Sequence, residues 1–208
     1  MDKLLKYAPE GLEHYDYICG VDEVGRGCLA GPLVTAGVIL PKDFKCELIK
    51  DSKKLTEKKR KEAYNIIIEN AISYSIKSAS VKEINKYGIN PATFISMHRN
   101  IEEIEETHVI QHLLVDGTQW EDYNKLPHTL VIKGDNTYLS IAAASILAKV
   151  KRDEYMIKLS EYYPGYNFEG SKGYRCKKHD EKLLNSGPTK YHRQLFTETR
   201  LKNLNKKF

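Results

Sequence analysis

Two short apolar runs, Tyr17 to Val21 and Leu33 to Leu40, flank the turn-prone Gly25-Arg26-Gly27, and Pro41 closes the second. Runs of this length around a glycine-rich turn predict an antiparallel strand pair. Thr56 to Asn70 predicts a helix: Thr56 suits the N-cap, Glu57 the first turn, and Leu55, Ala63, Ile66 and Ile67 supply an apolar face. Ile72, Tyr74 and Ile76 alternate with polar residues and predict a third strand. Asn90-Pro91 opens a helix with proline at its first position, running to about Glu106. Leu113 to Val115 and Leu130 to Ile132 predict two more strands. The longest helical pattern is Tyr138 to Tyr162, with Ile141, Ala144, Ser145 and Ala148 on one face and Ala142-Ala143-Ala144 small enough for close approach to a sheet. Pro164 to Gly173 reads as loop, and Lys177 to Asn185 and Leu195 to Asn205 as short helices. The expected class is therefore α/β, about five strands interleaved with helices, with a helical C-terminal part. A single domain over residues 1–208 accommodates it, with a core at about 17–162 and the helical part at about 163–208.

Composition narrows the function classes without choosing one. No apolar run approaches the ~20 residues of a membrane span, and Ile141 to Val150 is interrupted by alanines and a lysine. Met1 to Glu13 mixes charges with leucines and has no signal-peptide pattern, so the expectation is a cytoplasmic monomer with no membrane partner. Cys19, Cys28, Cys46 and Cys176 form no C-x-x-C pair, which leaves no zinc or redox motif, and Cys19 lies in an apolar run as a core residue would. The net charge of +5 is compatible with a nucleic-acid partner but identifies none.

The chemistry lies in acidic residues at strand ends: Asp22-Glu23, Asp116, and Asp135 just beyond the fifth strand. Sites in open α/β sheets gather at such ends. Singly, each Asp is as readily a turn residue or a helix cap. Asp22-Glu23 is harder to dismiss, because a charge pair inside an apolar run is costly unless it is paired or metal-bound. If the strands are neighbours, the carboxylates converge, and a divalent cation relieves their repulsion. All-oxygen ligands suit Mg2+ or Mn2+ rather than zinc. Spacing alone leaves both the metal site and the separate turn residues open.

The stretch Gly20-Val21-Asp22-Glu23-Val24-Gly25-Arg26-Gly27-Cys28-Leu29-Ala30-Gly31-Pro32 resembles the opening motif of the ribonuclease HII family. Asp51-Ser52-Lys53-Lys54-Leu55, Val115-Asp116-Gly117, and Lys133-Gly134-Asp135 with Ser140 to Val150 and Arg152-Asp153 resemble that family's later motifs, in order. Gly173-Tyr174 and His192-Arg193 resemble its C-terminal ones, so the likeness runs from about Tyr17 to Phe196. The resemblance implies an RNase H-like mixed five-stranded sheet flanked by helices. It also implies Asp22, Glu23, Asp116 and Asp135 as catalytic metal ligands. The implied activity is a metal-dependent endoribonuclease acting on RNA–DNA hybrids and on ribonucleotide-containing duplex DNA. It would cut on the 5′ side of a ribonucleotide to leave 3′-hydroxyl and 5′-phosphate ends, and so remove ribonucleotides misincorporated in DNA. Two positions depart from the family pattern: Cys176 stands where threonine is usual, and Leu195 where serine is usual.

Gly25-Arg26-Gly27 by itself is a tight turn; the resemblance assigns it to sensing the ribose 2′-hydroxyl. Lys53 and Lys54 suit phosphate contacts or a merely solvated basic loop. Tyr174 is the implied sugar-facing aromatic. Asp153 reads as the partner of a nearby base, His179 and His192 as structural hydrogen-bonding residues, and Trp120 as a packing residue. The alternatives are another nuclease or recombinase of the same fold, which a requirement for a ribonucleotide would separate, and a catalytically silent hybrid-binding protein, which a cleavage assay would.

Overall fold

The computed structural model describes residues 5–49 and 55–205. Its centre is a five-stranded mixed sheet: β1 (Ile18–Val24), β2 (Leu33–Ile39), β3 (Ser73–Ala79), β4 (His112–Asp116) and β5 (His128–Val131), in spatial order β3-β2-β1-β4-β5. β1–β2 and β2–β3 are antiparallel, while β1–β4 and β4–β5 are parallel. The predicted mixed sheet flanked by helices is what forms.

Alternation along the strands sends successive side chains to opposite faces. Cys19, Val21, Ile39, Leu113 and Val115 pack on one face with Met97, Ile101 and Ile104 of α3 (Ile89–Glu105). Val34, Ala36 and Val38 pack on the other with α1 (Glu57–Asn70) and α4 (Leu139–Tyr162). With both faces covered, the inner strands read as unbroken apolar runs rather than alternating ones. Gly20 is where α4 comes closest, since a Cβ there would collide with the backbone of Ser140 and Ile141.

Thr56 caps α1 as expected, accepting from the Lys59 amide at 3.3 Å. The buried positions of α1 are Ala63 and Ile67, with Tyr64 and Ile68 beside them rather than Ile66. Leu139 to Ala148 of α4 is buried on every side, not on one face, because the sheet, α1 and the N-terminal residues Leu5 to Ala8 all cover it. α2 (Val81–Tyr87), capped by a reciprocal Ser80–Glu83 box, had no expectation; seven residues are too few to display a helical period. α3 begins at Ile89, ahead of Asn90-Pro91, and β5 runs His128–Val131 rather than to Ile132. The stretch expected as loop contains one helical turn, α5 (Phe168–Ser171). α6 (Lys177–Ser186) and α7 (Gln194–Asn205) lie close to where short helices were expected. None of the described helices is long and apolar enough to cross a membrane.

Candidate active site

β1 and β4 run parallel with Val21 opposite Val115, so Asp22 and Asp116 are the next residues along neighbouring strands. Both point to the α4 face, the side to which Gly20 and Leu114 also turn. Asp22 is buried; its Oδ1 accepts the Glu23 amide at 2.6 Å, and Ser145 of α4 also hydrogen-bonds it. Asp116 Oδ1 accepts the Gly134 amide at 2.7 Å, which ties the end of β4 to the 3-10 turn Gly134–Asn136 and brings the buried Asp135 to the same end of the sheet. The Asp135 carboxylate accepts from Asn136 Nδ2 at 2.9 Å. Glu23 leaves the strand on the opposite face and sits 3.5 Å from Arg26 Nε.

Burial pushes the Asp22 carboxyl well above the usual carboxylate range, and the Glu23 and Asp116 carboxylates push it further. The hydrogen bonds from Ser145 and the Glu23 amide oppose this without reversing it. Among the described residues no three His, Cys, Asp or Glu side chains are gathered closely enough to hold an ion as they stand. The structure therefore brings Asp22, Asp116 and Asp135 to one end of the sheet with Glu23 alongside, but does not close them into a finished ligand cage. The donor set nevertheless fits a hard divalent cation. It is all carboxylate oxygen, and its innermost member is destabilised by negative neighbours that such a cation would offset.

That electrostatic strain yields an expected result. A carboxyl whose folded pKa is raised loses stability as pH rises through that pKa, so at neutral pH the Asp22 charge disfavours the folded state. Asp22→Asn should then melt a few degrees higher than the parent in chelator, since 1 kcal/mol moves the midpoint of a chain this size by about 2–4 °C. It should also gain less from added Mg2+. Identical melting of the two proteins with and without metal would show that these carboxylates do not repel one another.

The loop after β1 buries Gly25 and exposes its backbone at Gly27. Gly25 has φ +100°, and a Cβ there would run into the Arg152 guanidinium. Gly27 is exposed and a Cβ there would meet nothing within 4 Å, so its bare backbone faces outward. Arg26 turns inward to Asn90 Oδ1 at 2.6 Å and Glu23 at 3.5 Å. The Gly173 carbonyl accepts the Leu29 amide at 2.9 Å, which sets Tyr174 beside this loop. The Tyr174 side chain is exposed, its ring lies 5.6 Å from the Arg152 guanidinium, and desolvation of the phenol raises it to about 12. Cys176 precedes α6 without capping it through its side chain, and its Sγ takes a hydrogen bond from Asn167 Nδ2 at 3.3 Å. Leu195 is exposed at the start of α7. Lys53 and Lys54 lie outside the described residues.

Two residues without an expected role organise this region. Arg152 and Arg193 are both fully buried. Arg152 donates to the carbonyls of Pro32 (2.9 Å), Lys172 (2.8 Å) and Ala30 (3.2 Å). Arg193 donates to those of Gly31 (3.0 Å) and Arg26 (2.8 Å). They stitch the loop after β1 to α4 and to the C-terminal helices. In the sequence their trace is their place in Arg152-Asp153 and His192-Arg193, within the segments that resemble the family. Asp153 is a partner of bases, as expected, at 2.7 Å from Lys149 Nζ and 3.8 Å from Arg60. Trp120 packs edge-on against Phe94 and His98.

Residues 19–199 match the family model described as ribonuclease HII. The chain is similar to a ribonuclease HII of Bacteroides thetaiotaomicron, 50% identical over 177 residues, which is 85% of this chain and 88% of that one. Its fold is similar to the ribonuclease H2 of Pyrococcus horikoshii OT3 (TM-score 0.72, 22% identity, 91% of this chain and 99% of that one). It is similar also to Bst ribonuclease HIII, solved in complex with Mn2+ (TM-score 0.67, 18% identity, 91% and 68%).

Proposed function

Because the chain belongs to the ribonuclease HII family, we propose that Asp22, Glu23, Asp116 and Asp135 hold the divalent metal of a ribonuclease H that hydrolyses the RNA strand of RNA–DNA hybrids. It also cuts on the 5′ side of ribonucleotides embedded in duplex DNA, leaving 3′-hydroxyl and 5′-phosphate ends. The observation that carries this is the placement of Asp22 and Asp116 as successive neighbours on β1 and β4, with Asp22 strained by adjacent negative charge. Mg2+ or Mn2+ held there supplies activation of the attacking water and neutralisation of charge developing at phosphorus. Ser145 and the Gly134 amide orient the two strand-end carboxylates. Glu23 and Asp135 would supply the remaining carboxylate oxygens to such an ion.

The Gly25-Arg26-Gly27 loop, exposed at Gly27, takes the 2′-hydroxyl, the group that separates RNA from DNA when the bases are largely alike. Tyr174 packs on the sugar of the next nucleotide on the 3′ side, where a bare deoxyribose fits better than a second 2′-hydroxyl. Lys53 and Lys54 contact phosphates. The protein acts as a cytoplasmic monomer.

The test is cleavage of labelled duplexes carrying no ribonucleotide, one, or several, with Mg2+ or Mn2+. Cutting only where a ribonucleotide is present supports the proposal; equal cutting of all-DNA duplex sinks it. Tyr174→Ala should lose about one to two orders of magnitude more rate on the single ribonucleotide than on a long hybrid, as befits a contact worth roughly 1–3 kcal/mol. Tyr174→Phe keeps the ring and should keep the preference. Equal slowing of both substrates by Tyr174→Ala would make the residue a general clamp.

A further inference from the structure

Gly25-Arg26-Gly27 and Tyr174 are remote in sequence, yet one short segment, residues 189–193, is bonded to both neighbourhoods. The Thr189 backbone N–H donates to His192 Nδ1 at 2.9 Å, and the Thr189 hydroxyl lies 3.0 Å from the same nitrogen. A ring nitrogen that receives a backbone N–H must present its lone pair, so the proton of neutral His192 is on Nε2. That Nε2 is 3.0 Å from His179 Nε2, which must accept. The His179 proton is then on Nδ1, where it donates to the Tyr174 carbonyl at 3.0 Å. One backbone amide thus dictates the direction of every later bond. On the other side, the Arg193 amide donates to the Leu29 carbonyl at 2.8 Å, and its guanidinium holds the carbonyls of Gly31 and Arg26.

We propose that His192 and His179 are positioning residues for Tyr174: a one-way hydrogen-bond relay from Thr189 through both imidazoles sets the tyrosine against the Gly25-Arg26-Gly27 loop and thereby sets the preference for a single ribonucleotide over continuous RNA. The preference in question rests on the role given to Tyr174 above; the relay itself does not. The imidazoles are buried among the rings of Tyr166 and Phe168, with Tyr166 5.0 Å from His192 and Phe168 5.4 Å from His179. Protonating either imidazole would set two N–H groups against each other, and the surroundings keep both neutral. Burial lowers both groups, His192 to about 4 with the help of His179. The titratable groups facing the pair are Asp180, which pulls His179 the other way but is bonded to Arg200 Nε at 2.8 Å, the Tyr166 phenol with Lys182 over its ring, and the adjoining Arg193. Because the folded His192 pKa lies below the usual 6.5, its contribution to stability is complete above pH 6.5 and is lost as pH falls from there toward 4.

Nitrogen-15 NMR of the histidines in the full-length wild-type protein tests the relay directly. His179 should carry its proton on Nδ1 and His192 on Nε2, both neutral at pH 6; the opposite tautomers, or a charged ring at that pH, overturn it. Cleavage tests the consequence. His179→Phe and His192→Phe keep the aromatic volume and should narrow the single-ribonucleotide-to-hybrid ratio about tenfold, the size of one hydrogen bond lost from a transition state. His179→Asn, whose amide can replace Nδ1–H toward Tyr174, should recover most of that ratio, which a purely structural role would not predict. In a Tyr174→Ala background the His192→Phe effect on the ratio should vanish, since residues acting through one another are not additive. Additive effects, or equal slowing of both substrates by the histidine variants, overturn the positioning role. If Tyr174→Ala alone leaves the ratio unchanged, the assignment of Tyr174 fails first, whatever tautomers the NMR shows.

Discussion

Asp22→Asn, Glu23→Gln and Asp116→Asn should each reduce cleavage of a ribonucleotide-containing duplex by two to three orders of magnitude or more while the protein remains folded. The reason is geometric as much as electrostatic. An ion held by carboxylates at two neighbouring strand ends is placed by the sheet register, and the amide form of any ligand withdraws a full charge and leaves the ion displaced. Loss of a placed charge at a phosphoryl site costs about 3–4 kcal/mol of transition-state stabilisation, and every 1.36 kcal/mol is a factor of about ten. Asp22 should be the most sensitive, because it is the most enclosed of the strand-end pair and is held by Ser145 and its own chain. Asp135→Asn should also be severely impaired, and recovery in Mn2+ would mark it as a weaker ligand. Steady-state rates at saturating metal are the measurement; near-normal turnover removes that residue from the site.

Arg152→Ala should be among the most destabilising single substitutions in the chain, at about 3–5 kcal/mol. The guanidinium is fully buried and its hydrogen bonds go to the carbonyls of Pro32, Lys172 and Ala30. Truncation strands those acceptors, each at about 1–3 kcal/mol where water does not replace the donor, and leaves a cavity beneath Tyr174. In a chain of this size that loss lowers the melting temperature by roughly 6–20 °C. Arg152→Lys keeps the charge but cannot present the same planar fork, so it should fall between the two. A change under about 1 kcal/mol in thermal or denaturant unfolding would mean that water re-satisfies the carbonyls and that the arginine is not the brace of this loop.

Arg152 also shows why part of the site escaped a reading of the sequence. An arginine toward the middle of a helix, followed by Asp153, has the pattern of a solvent-facing salt bridge. Asp153 does pair with Lys149, one turn earlier. Nothing local distinguishes the neighbour that points inward, because its partners at Ala30 and Pro32 lie more than a hundred residues away. Arg193 is the same case, bonded to Gly31 and Arg26, 162 and 167 residues away. The direction of the His192–His179 hydrogen bonds likewise depends on a single Thr189 amide brought into line by folding.

The strands, the long helix and the Asp22-Glu23 pair were legible because their signals are short-range. Mainly apolar strand runs need burial on both faces, α4 carries small and apolar residues along most of its 24 residues, and a charge pair inside an apolar run demands a partner. From the residue pattern came an α/β architecture of about five strands, acidic residues at strand ends and a glycine-rich turn beside the first of them, and the family resemblance added the mixed sheet and the ligand role. Only the tertiary structure decided that β4 pairs with β1 in the register that makes Asp116 the neighbour of Asp22, and that the Gly134 amide draws Asp135 to them while Glu23 leaves on the other face. Strand order and register are set by pairings between segments some ninety residues apart, and burial of the whole sheet selects them; a local pattern records which residues must be buried but not against what.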